Sequence, residues 1–295
     1  MITIEQLRYV RLGTQDLAAS THFAQGILGL ELVEETDAQT AFRSDYRDHT
    51  LVFTTDDPGH TIGLEVRDQV ALKHATDTLA QSGYNLMSGT PEQSARRKVK
   101  SFISFRADDH LTVDLVVRPL YSGWRYFPSR DAGITGLEAV AIRTGSISKS
   151  EELWTNVLSG KVSDRVGDAA YIRFDDRHHR VALHPSLSSG IIAVEFAVED
   201  IDLLMQNSYF LEDQQVRIMH GPGRRPTSDQ MFLTFKGPDD VLFSFVCEGS
   251  QIDETSHRAR QFPHRPQSFC AWGSRSSIPE FLGGENDIAR TGDPS

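Results

Sequence analysis

Two ionisable side chains in the second half of the chain, His179 and Glu195, have the chemistry needed to move protons. A neutral imidazole with a pKa of about 6.5 acts as an acid or a base at cellular pH. A carboxylate shielded from water holds a proton more readily and becomes a better base. Each side chain also has a structural interpretation, His179 as a buried histidine of the fold and Glu195 as the partner of Arg173 or Arg143. Both interpretations stay open.

Two arginines could hold an anionic group of a ligand beside these residues. Arg143 shares the alternation of Ala139 and Ala141 in a strand-like segment, so we expect its side chain on the same face. A guanidinium binds carboxylates through paired donors. Arg225, which follows Arg224, is either such a clamp or part of a loop salt bridge. Arg143 and Arg225 are therefore predicted substrate-binding residues.

An internal repeat supplies the elements that position these residues. Residues 43–49 read RSDYRDH and residues 173–179 read RFDDRHH, with matches at every second position and an offset of 130 (173 − 43). The same offset joins three further pairs, Leu7 with Leu137, Leu28 with Leu158, and Glu65 with Glu195. A constant offset over most of the chain predicts two copies of one structural unit.

Each copy reads as a βαβββ module, so the predicted fold class is α+β with two paired barrel-like domains. Asp16 is a predicted helix N-cap, and further helices are predicted over 69–82, from Ser148 or Ser150 to Leu158, and from Asp200. Predicted strands are 7–12, 31–36, 39–45, 49–54, 61–67, 99–106 and 110–118, then 136–143, 160–166, 169–174, 178–184, 190–197, 216–220 and 231–244, the last broken by a turn at 237–240.

The predicted domains are residues 1–125 and 126–250, followed by a tail over 251–295. Four aromatic residues predict that the tail packs back on the body as far as Phe281: Phe262, Phe269, Trp272 and Phe281. Residues 283–295 are predicted to be disordered.

The composition and charge of the chain argue against several classes of protein. The chain of 295 residues is 39% hydrophobic and carries a formal net charge of -11, which argues against a nucleic-acid partner and favours a cytoplasmic protein. We find no signal-peptide pattern and no apolar run long enough for a membrane span. The only cysteines, Cys247 and Cys270, exclude a cysteine zinc site.

Three stretches resemble one known family. Residues 177–183 read RHHRVAL, residues 221–224 read GPGR, and residues 231–239 read MFLTFKGPD. Together with the repeat, they are similar to the vicinal oxygen chelate superfamily, and within it to the two-domain type I extradiol ring-cleavage dioxygenases. The resemblance implies paired modules that curl into cups, a catechol-like aromatic or ring-derived substrate, and a homo-oligomer. It also implies Fe(II) or Mn(II), held in the C-terminal cup by two histidines and one glutamate.

The metal-ligand positions of that family carry other residues here. The first histidine falls on Ala139, the second on Ala193, and the glutamate on Ser244. The family's active-site tyrosine falls on Thr234 (244 − 10) and a common further histidine on Arg225, whereas its acid–base histidine is matched by His179. An alanine offers no lone pair, so we expect no metal and no other cofactor, with Thr234 and Ser244 left to contact substrate.

The corresponding positions of the first copy at the same offset are Tyr9, Gly63 and Asp114, and they do not restore a metal site. A displaced site built from His179, Glu195 and Glu248 is an alternative, in which case Fe(II) or Mn(II) would be the cofactor. His178, which should face away from His179, and also His184 and His220 are further ligands in principle.

Three functions therefore stay open. The first is an aromatic-catabolism enzyme that works without metal by proton transfer at His179 and Glu195. The second is a conventional extradiol dioxygenase with a displaced metal site. The third is a non-catalytic small-molecule-binding or partner subunit.

Overall fold

The computed structural model describes residues 2–108 and 110–282. Elements of the first half are β1 Gln6–Gly13, α1 Leu17–His22, β2 Glu31–Glu35, β3 Gln39–Arg43, β4 Leu51–Thr54, β5 His60–Val66, α2 Gln69–Gln81, β6 Leu86–Ser88, α3 Pro91–Arg96, β7 Val99–Arg106 and β8 Leu111–Pro119. Elements of the second half are β9 Ile134–Thr144, α4 Ile147–Glu152, β10 Lys161–Val166, β11 Ala169–Arg173, β12 Val181–Pro185, β13 Gly190–Val198, α5 Ile201–Asp213, β14 Ile218–Arg224, β15 Met231–Lys236, β16 Leu242–Cys247, β17 Arg260–Phe262 and α6 Pro266–Phe269.

Two mixed sheets carry these strands. The first has the order β2-β3-β4-β1-β5-β8-β7-β6, and the second has the order β14-β15-β16-β13-β9-β12-β11-β10-β17. In the first sheet, β1 pairs in parallel with β4 and antiparallel with β5. In the second sheet, β9 pairs in the same way with β12 and β13. Each half therefore contains two βαβββ units, β1 to β4 and β5 to β8 in the first, so the chain has four units rather than two.

The offset of the sequence repeat holds over the first unit of each half. Val10 pairs with Leu51, and Val140 pairs with Val181 at the same separation. Arg47 bridges to Tyr121, and Arg177, its counterpart in the repeat, bridges to Gln251. The repeat predicted from sequence is thus present in the hydrogen-bonding pattern.

The offset changes at the central strand of the second half. Tyr9 pairs with Gly63, but Ala139 pairs with Glu195, so β13 is displaced along the chain and the offset becomes 132 (195 − 63). The helix caps Asp68 and Asp200 follow the same larger offset (200 − 68). The predicted equivalence of Glu65 with Glu195 is therefore wrong, because the strand pairing makes Gly63 the counterpart of Glu195.

Side-chain alternation divides the second sheet into two faces. Val140, Val194 and Phe243 belong to the large core that the helices cover, whereas Ala141 and Ala193 belong to a second cluster on the opposite face. Successive strand residues point to opposite faces, which explains this division. The second, concave face is the C-terminal cup, and small alanine side chains form part of its floor.

The predicted helices begin close to their expected first residues, with one exception. The side chains of Asp16, Asp68 and Asp200 each accept a hydrogen bond from a backbone amide of the first turn, an interaction that stabilises a helix by ~1 kcal/mol. The fourth helix begins after Ser146, not at Ser148 or Ser150. Sequence reasoning also missed β6 and α3, whose short lengths give no periodic signal.

The tail returns to the second sheet. Residues of β17 add a parallel strand beside β10, and Phe269 and Phe281 pack against the cup. Trp272 is 50% exposed, so the prediction that all four tail aromatics pack inward is wrong for this residue. The predicted disorder of residues 283–295 lies outside the described residues. Among the described residues, we find no helix long and apolar enough to cross a membrane.

Candidate functional site

A narrow cavity lies in the C-terminal cup. Its volume is about 20 Å³, and its lining includes His179, Glu195 and Arg225 from the sheet side and Phe269 and Phe281 from the tail. A cavity of this size holds about one water molecule. Pockets that take a whole small-molecule ligand are larger, roughly 300–1,000 Å³. A ring-sized ligand therefore requires the tail aromatics to move.

A row of four residues crosses the floor of the cup. Ala139 pairs with Glu195, Glu195 with Ser244, and Ser244 with Thr234. The hydroxyl oxygens of Thr234 and Ser244 are 2.8 Å apart and hydrogen-bond to each other. Thr234 lines the cavity, and Ala193 is buried on β13 at the next position on the same side as Glu195. The predicted ligand positions thus share the face of the cup, and they offer two methyl groups and a hydroxyl.

Glu195 forms a buried ion pair with Arg225. Arg225 Nη1 donates to Glu195 Oε2 at 3.0 Å and Nη2 donates to Oε1 at 2.6 Å. The Arg225 side chain also donates to Gln230 and lies 5.1 Å from the centre of the Phe232 ring. Burial alone would lower the pKa of Arg225, but the charge and hydrogen bonds of Glu195 raise it.

This ion pair corrects the sequence-based assignment of partners. Glu195 was expected to pair with Arg173 or Arg143. Its partner is instead Arg225, which follows the last residue of β14 and extends over the floor of the cup. Arg173 instead donates to Glu254 at 2.9 Å. Arg225 therefore forms a salt bridge and also lines the cavity, whereas its predicted role as a clamp for a substrate anion stays a prediction.

Arg143 does not line the cavity. It lies near the end of β9, where it pairs with His184 and Gly190 at the rim of the sheet. Its Nε lies 3.6 Å from Glu280 Oε1, and Glu280 also accepts a hydrogen bond from Ser186 at 2.9 Å. The expectation that Arg143 faces this cavity is therefore not met, because its side chain points to Glu280 of the tail, and its contact with substrate stays a prediction.

His179 lies between the ion pair and a second histidine. Its Nδ1 is 3.2 Å from Nδ1 of His178, and His178 Nε2 is 3.1 Å from Asp164 Oδ2. Its Nε2 is 3.8 Å from Glu195 Oε2 and is buried with no hydrogen-bond partner among the described residues. Burial, followed by the charges of His178 and Arg225, lowers the pKa of His179 well below 6.5. The ring is thus neutral at physiological pH.

Sequence reasoning placed His178 incorrectly and missed Tyr171. His178 was expected to face away from His179, as strand alternation dictates, but residues 174–180 form a bend and not a strand, which lets both rings point inward. Tyr171 packs edge-on against His179 with ring centres 5.1 Å apart and lines the cavity. Nothing in a single sequence distinguishes Tyr171 from any other strand tyrosine.

Two further histidines lie at the cup, His184 and His220. Burial and the charge of Arg225 lower the pKa of His184 to about 3 and that of His220 to about 4. The ring of Phe281 is 4.7 Å from His184 and 6.2 Å from His220. These rings are therefore neutral members of an aromatic wall.

The corresponding cup of the first half is filled by its own side chains. Tyr9 donates to Asp114 at 2.8 Å, and Arg97 pairs with the same carboxylate at 2.6 Å. A methyl group on Gly63 would lie 2.5 Å from the Tyr9 ring. The Tyr9 ring therefore covers Gly63, its neighbour on the adjacent strand. In the second half the equivalent pair is Ala139 and Glu195, and the small alanine leaves room for the glutamate side chain.

The side chains of the C-terminal cup do not fit Fe(II) or Mn(II). Among the described residues, no group of three or more His, Cys, Asp or Glu side chains is placed to hold a metal ion. Glu195 already neutralises Arg225, and the guanidinium would repel a divalent cation. Glu248 is exposed at the end of β16, so it does not complete a displaced site with His179 and Glu195.

Comparisons with known proteins agree with this fold. Residues 136–245 match the family model described as the Glyoxalase/Bleomycin resistance protein/Dioxygenase superfamily. A search of curated proteins gives no significant match.

Several solved structures share the whole fold at low identity. BphC, a halotolerant catechol dioxygenase, is 18% identical with a TM-score of 0.86, covering 96% of this chain and 98% of its own. The Mn(II)-bound glyoxalase from Novosphingobium aromaticivorans is 20% identical with a TM-score of 0.84, covering 96% and 95%. The 2,2',3-trihydroxybiphenyl 1,2-dioxygenase from Sphingomonas wittichii strain RW1 is 19% identical with a TM-score of 0.80, covering 93% and 100%.

The resemblance to the glyoxalase and dioxygenase superfamily that was stated from the sequence is therefore confirmed for residues 136–245, and the chain shares its fold with the solved catechol dioxygenase and 2,2',3-trihydroxybiphenyl 1,2-dioxygenase.

Proposed function

We propose that this chain is an enzyme that acts on a catechol-like aromatic or ring-derived small molecule without a metal ion, with His179 as its proton-transfer base. The observation that carries the proposal is the buried Nε2 of His179, which faces the cavity with no hydrogen-bond partner among the described residues. Leaving a buried polar atom without a partner costs about 1–3 kcal/mol. A ligand that supplies the missing partner regains this free energy.

The chemistry follows from the neutral state of His179. A ligand hydroxyl that donates to Nε2 transfers its proton to that nitrogen, which leaves an oxyanion on the ligand and an imidazolium on His179. The imidazolium then lies 3.8 Å from the Glu195 carboxylate, which stabilises it. Return of the proton to a carbon conjugated with the oxyanion completes a tautomerisation and regenerates neutral His179. Arg225 holds Glu195 in place during both steps.

Access to the site requires a change at the tail. Beyond Phe281 and His220 lies an outer cavity of about 400 Å³, which is large enough for an aromatic ring. Phe281 and His220 line both cavities. We propose that ligands enter from the outer cavity when the Phe281 ring turns away.

A second candidate is a non-catalytic binding or partner subunit. It is favoured by the small volume of the inner cavity and by the mutual neutralisation of Glu195 and Arg225. On this account the outer cavity binds the ligand, and His179 contributes only to the fold.

An assay with and without chelator tests the proposal. The purified protein is incubated with a panel of catechols and of ring-fission products, after treatment with EDTA and after addition of Fe(II). We expect turnover that EDTA leaves unchanged. Activity that EDTA abolishes and Fe(II) restores would show a conventional metal-dependent dioxygenase, and ligand binding without any turnover would favour the binding subunit.

A further inference from the structure

We propose that Asp164 and His178 are positioning residues that keep the proton of neutral His179 on Nδ1, so that Nε2 presents a lone pair to the cavity. The use of that lone pair in catalysis rests on the proposed function. The location of the proton does not, and it can be measured on the protein alone. The inference also defines the class of ligand that the cup accepts.

The positioning begins at Asp164, whose side chain is fully buried. It accepts hydrogen bonds from the backbone N–H of Arg260 at 2.7 Å and from the Arg260 guanidinium at 2.6 Å. Burial alone would raise the pKa of Asp164, but the hydrogen bonds of His178 and Arg260 lower it, so the group is a carboxylate. A carboxylate only accepts hydrogen bonds. Nε2 of His178, 3.1 Å away, must therefore carry a hydrogen.

The proton on His178 then determines the proton on His179. Burial lowers the pKa of His178, so at neutral pH its ring holds a single proton. With that proton on Nε2, Nδ1 of His178 has a lone pair. Nδ1 of His179 is 3.2 Å away and must donate to it. The remaining nitrogen of neutral His179, Nε2, consequently has the lone pair that a base requires.

This arrangement restricts the ligand. Nε2 of His179 and Oε2 of Glu195 are two hydrogen-bond acceptors 3.8 Å apart that face the same cavity. A ligand must bring a donor between them, which a hydroxyl or an amino group provides and a carboxylate does not. Arg225 already donates to Glu195 and Gln230, so it is not placed to bind an anion in the cup. We infer that the substrate presents a neutral hydroxyl or amino group here.

The first half of the chain has other residues at the positions of Asp164 and His178. At the offset of the repeat, the residue that matches His178 is Asp48 (178 − 48), and the residue that matches Asp164 is Glu34 (164 − 34). Asp48 Oδ1 lies 3.9 Å from His49 Nδ1, and Glu34 pairs with Lys98. The histidine pair therefore belongs to the second half, where His179 lines the cavity, and not to the arrangement that both halves share.

Nuclear magnetic resonance tests the assignment directly. Protein with ¹⁵N-labelled histidine is recorded at neutral pH in a long-range ¹H–¹⁵N correlation, which distinguishes the protonated nitrogen of each ring. His179→Gln identifies the His179 signals, and His49 serves as an internal reference. We expect protonation at Nδ1 of His179 and at Nε2 of His178. Protonation at Nε2 of His179 in the wild-type protein would overturn the proposal.

Two variants at position 178 separate positioning from simple packing. In His178→Asn the side-chain oxygen can still accept from His179 Nδ1, and we expect the Nδ1-protonated form to persist. In His178→Leu the acceptor is lost, and we expect the proton to move to Nε2, where it can interact with Glu195. Unchanged His179 signals in His178→Leu, with His49 signals that report an intact fold, would also overturn the proposal. The NMR measurement uses the protein without substrate. Its result therefore does not depend on the turnover assay, and failure of the proposed function can be distinguished from failure of this proposal.

Discussion

The Glu195 carboxylate and the Arg225 guanidinium form a two-point ion pair on the floor of the cup, with donor–acceptor distances of 3.0 and 2.6 Å. Both side chains are largely buried, at 4% and 12% exposure. In this chain a cation and an anion that belong to the protein lie together on the floor of the cup. Substitutions at this pair, at the buried histidines beside it and at the tail that closes the cup should change the stability or the binding rate of the protein.

Removing one partner of the ion pair should destabilise the protein strongly. Arg225→Met leaves a buried carboxylate without a counter-charge, which costs about 3–5 kcal/mol in comparable pairs. The double variant Glu195→Leu with Arg225→Met removes both charges and should recover most of that loss. Urea denaturation measures the free energies of unfolding. A loss below about 1 kcal/mol in the single variant, the range of exposed pairs, would show that the pair is not buried as described.

The first cup should resist any enlargement of Gly63. In Gly63→Ala the new methyl group would lie 2.5 Å from the Tyr9 ring, and such overpacking costs about 1–3 kcal/mol. Tyr9→Leu in the same chain should reduce the cost, because a smaller side chain leaves room. Gly123→Ala is the control, since a methyl group there meets no atom within 4 Å. Equal stabilities of Gly63→Ala and Gly123→Ala would contradict the account of a filled first cup.

The free energy of unfolding should decrease as the pH is lowered below about 6.5, because two buried histidines stay neutral in the folded protein. The pKa of His184 is lowered to about 3 and that of His220 to about 4, whereas an unfolded histidine titrates at about 6.5. The unfolded chain therefore binds protons that the folded chain does not, and each such ring lowers stability by about 1.4 kcal/mol per pH unit below that value. Stability should be insensitive to these rings above pH 7.

One substitution isolates this effect. His184→Phe keeps an aromatic ring beside Phe281 and removes one titrating group, so the loss of stability between pH 6.5 and 5 should shrink by about 2 kcal/mol. The exposed His74 is the control, and His74→Gln should leave the wild-type pH dependence unchanged. Unfolding free energies at a series of pH values decide the matter. An unaltered slope in His184→Phe would mean that His184 is not held neutral.

Shortening Phe281 should open the inner cavity. Phe281 separates the cavity of about 20 Å³ from the outer cavity of about 400 Å³, so Phe281→Ala should increase the rate at which a small phenol binds. Trp272→Ala is the matched control, because Trp272 is a tail aromatic that is 50% exposed. Stopped-flow binding kinetics would compare the two. Equal rates in both variants would rule out entry past Phe281.

The sequence was sufficient for the fold class but not for the number of βαβββ units or for the contacts between site residues. Alternation of apolar residues and the caps Asp16 and Asp200 depend on local chemistry, so the strands and helices could be predicted. The resemblance to the extradiol dioxygenases also placed His179 beside the cup. The displacement of β13 could not be read from the offset, because an insertion moves a strand without erasing its pattern.

The partners of the site residues depend on long-range packing. Arg225 and Glu195 are far apart in the sequence, and nothing local distinguishes Arg225 from Arg143 as the partner of Glu195. The inward turn of His178 depends on the bend before β12, and its hydrogen bond depends on Asp164 from another strand. Such contacts follow from the tertiary structure, which a single sequence does not specify.

We propose that His179 acts as a base in the C-terminal cup without a metal ion. Turnover of hydroxylated ring compounds is measured with EDTA-treated wild-type protein, His179→Gln and His49→Gln, the last of which changes the matched histidine of the first half. We expect that the wild-type protein and His49→Gln stay active and that the rate of His179→Gln falls by at least about 100-fold, as for the loss of a general base. Full activity in His179→Gln, or a wild-type protein that is active only with added Fe(II), would contradict it.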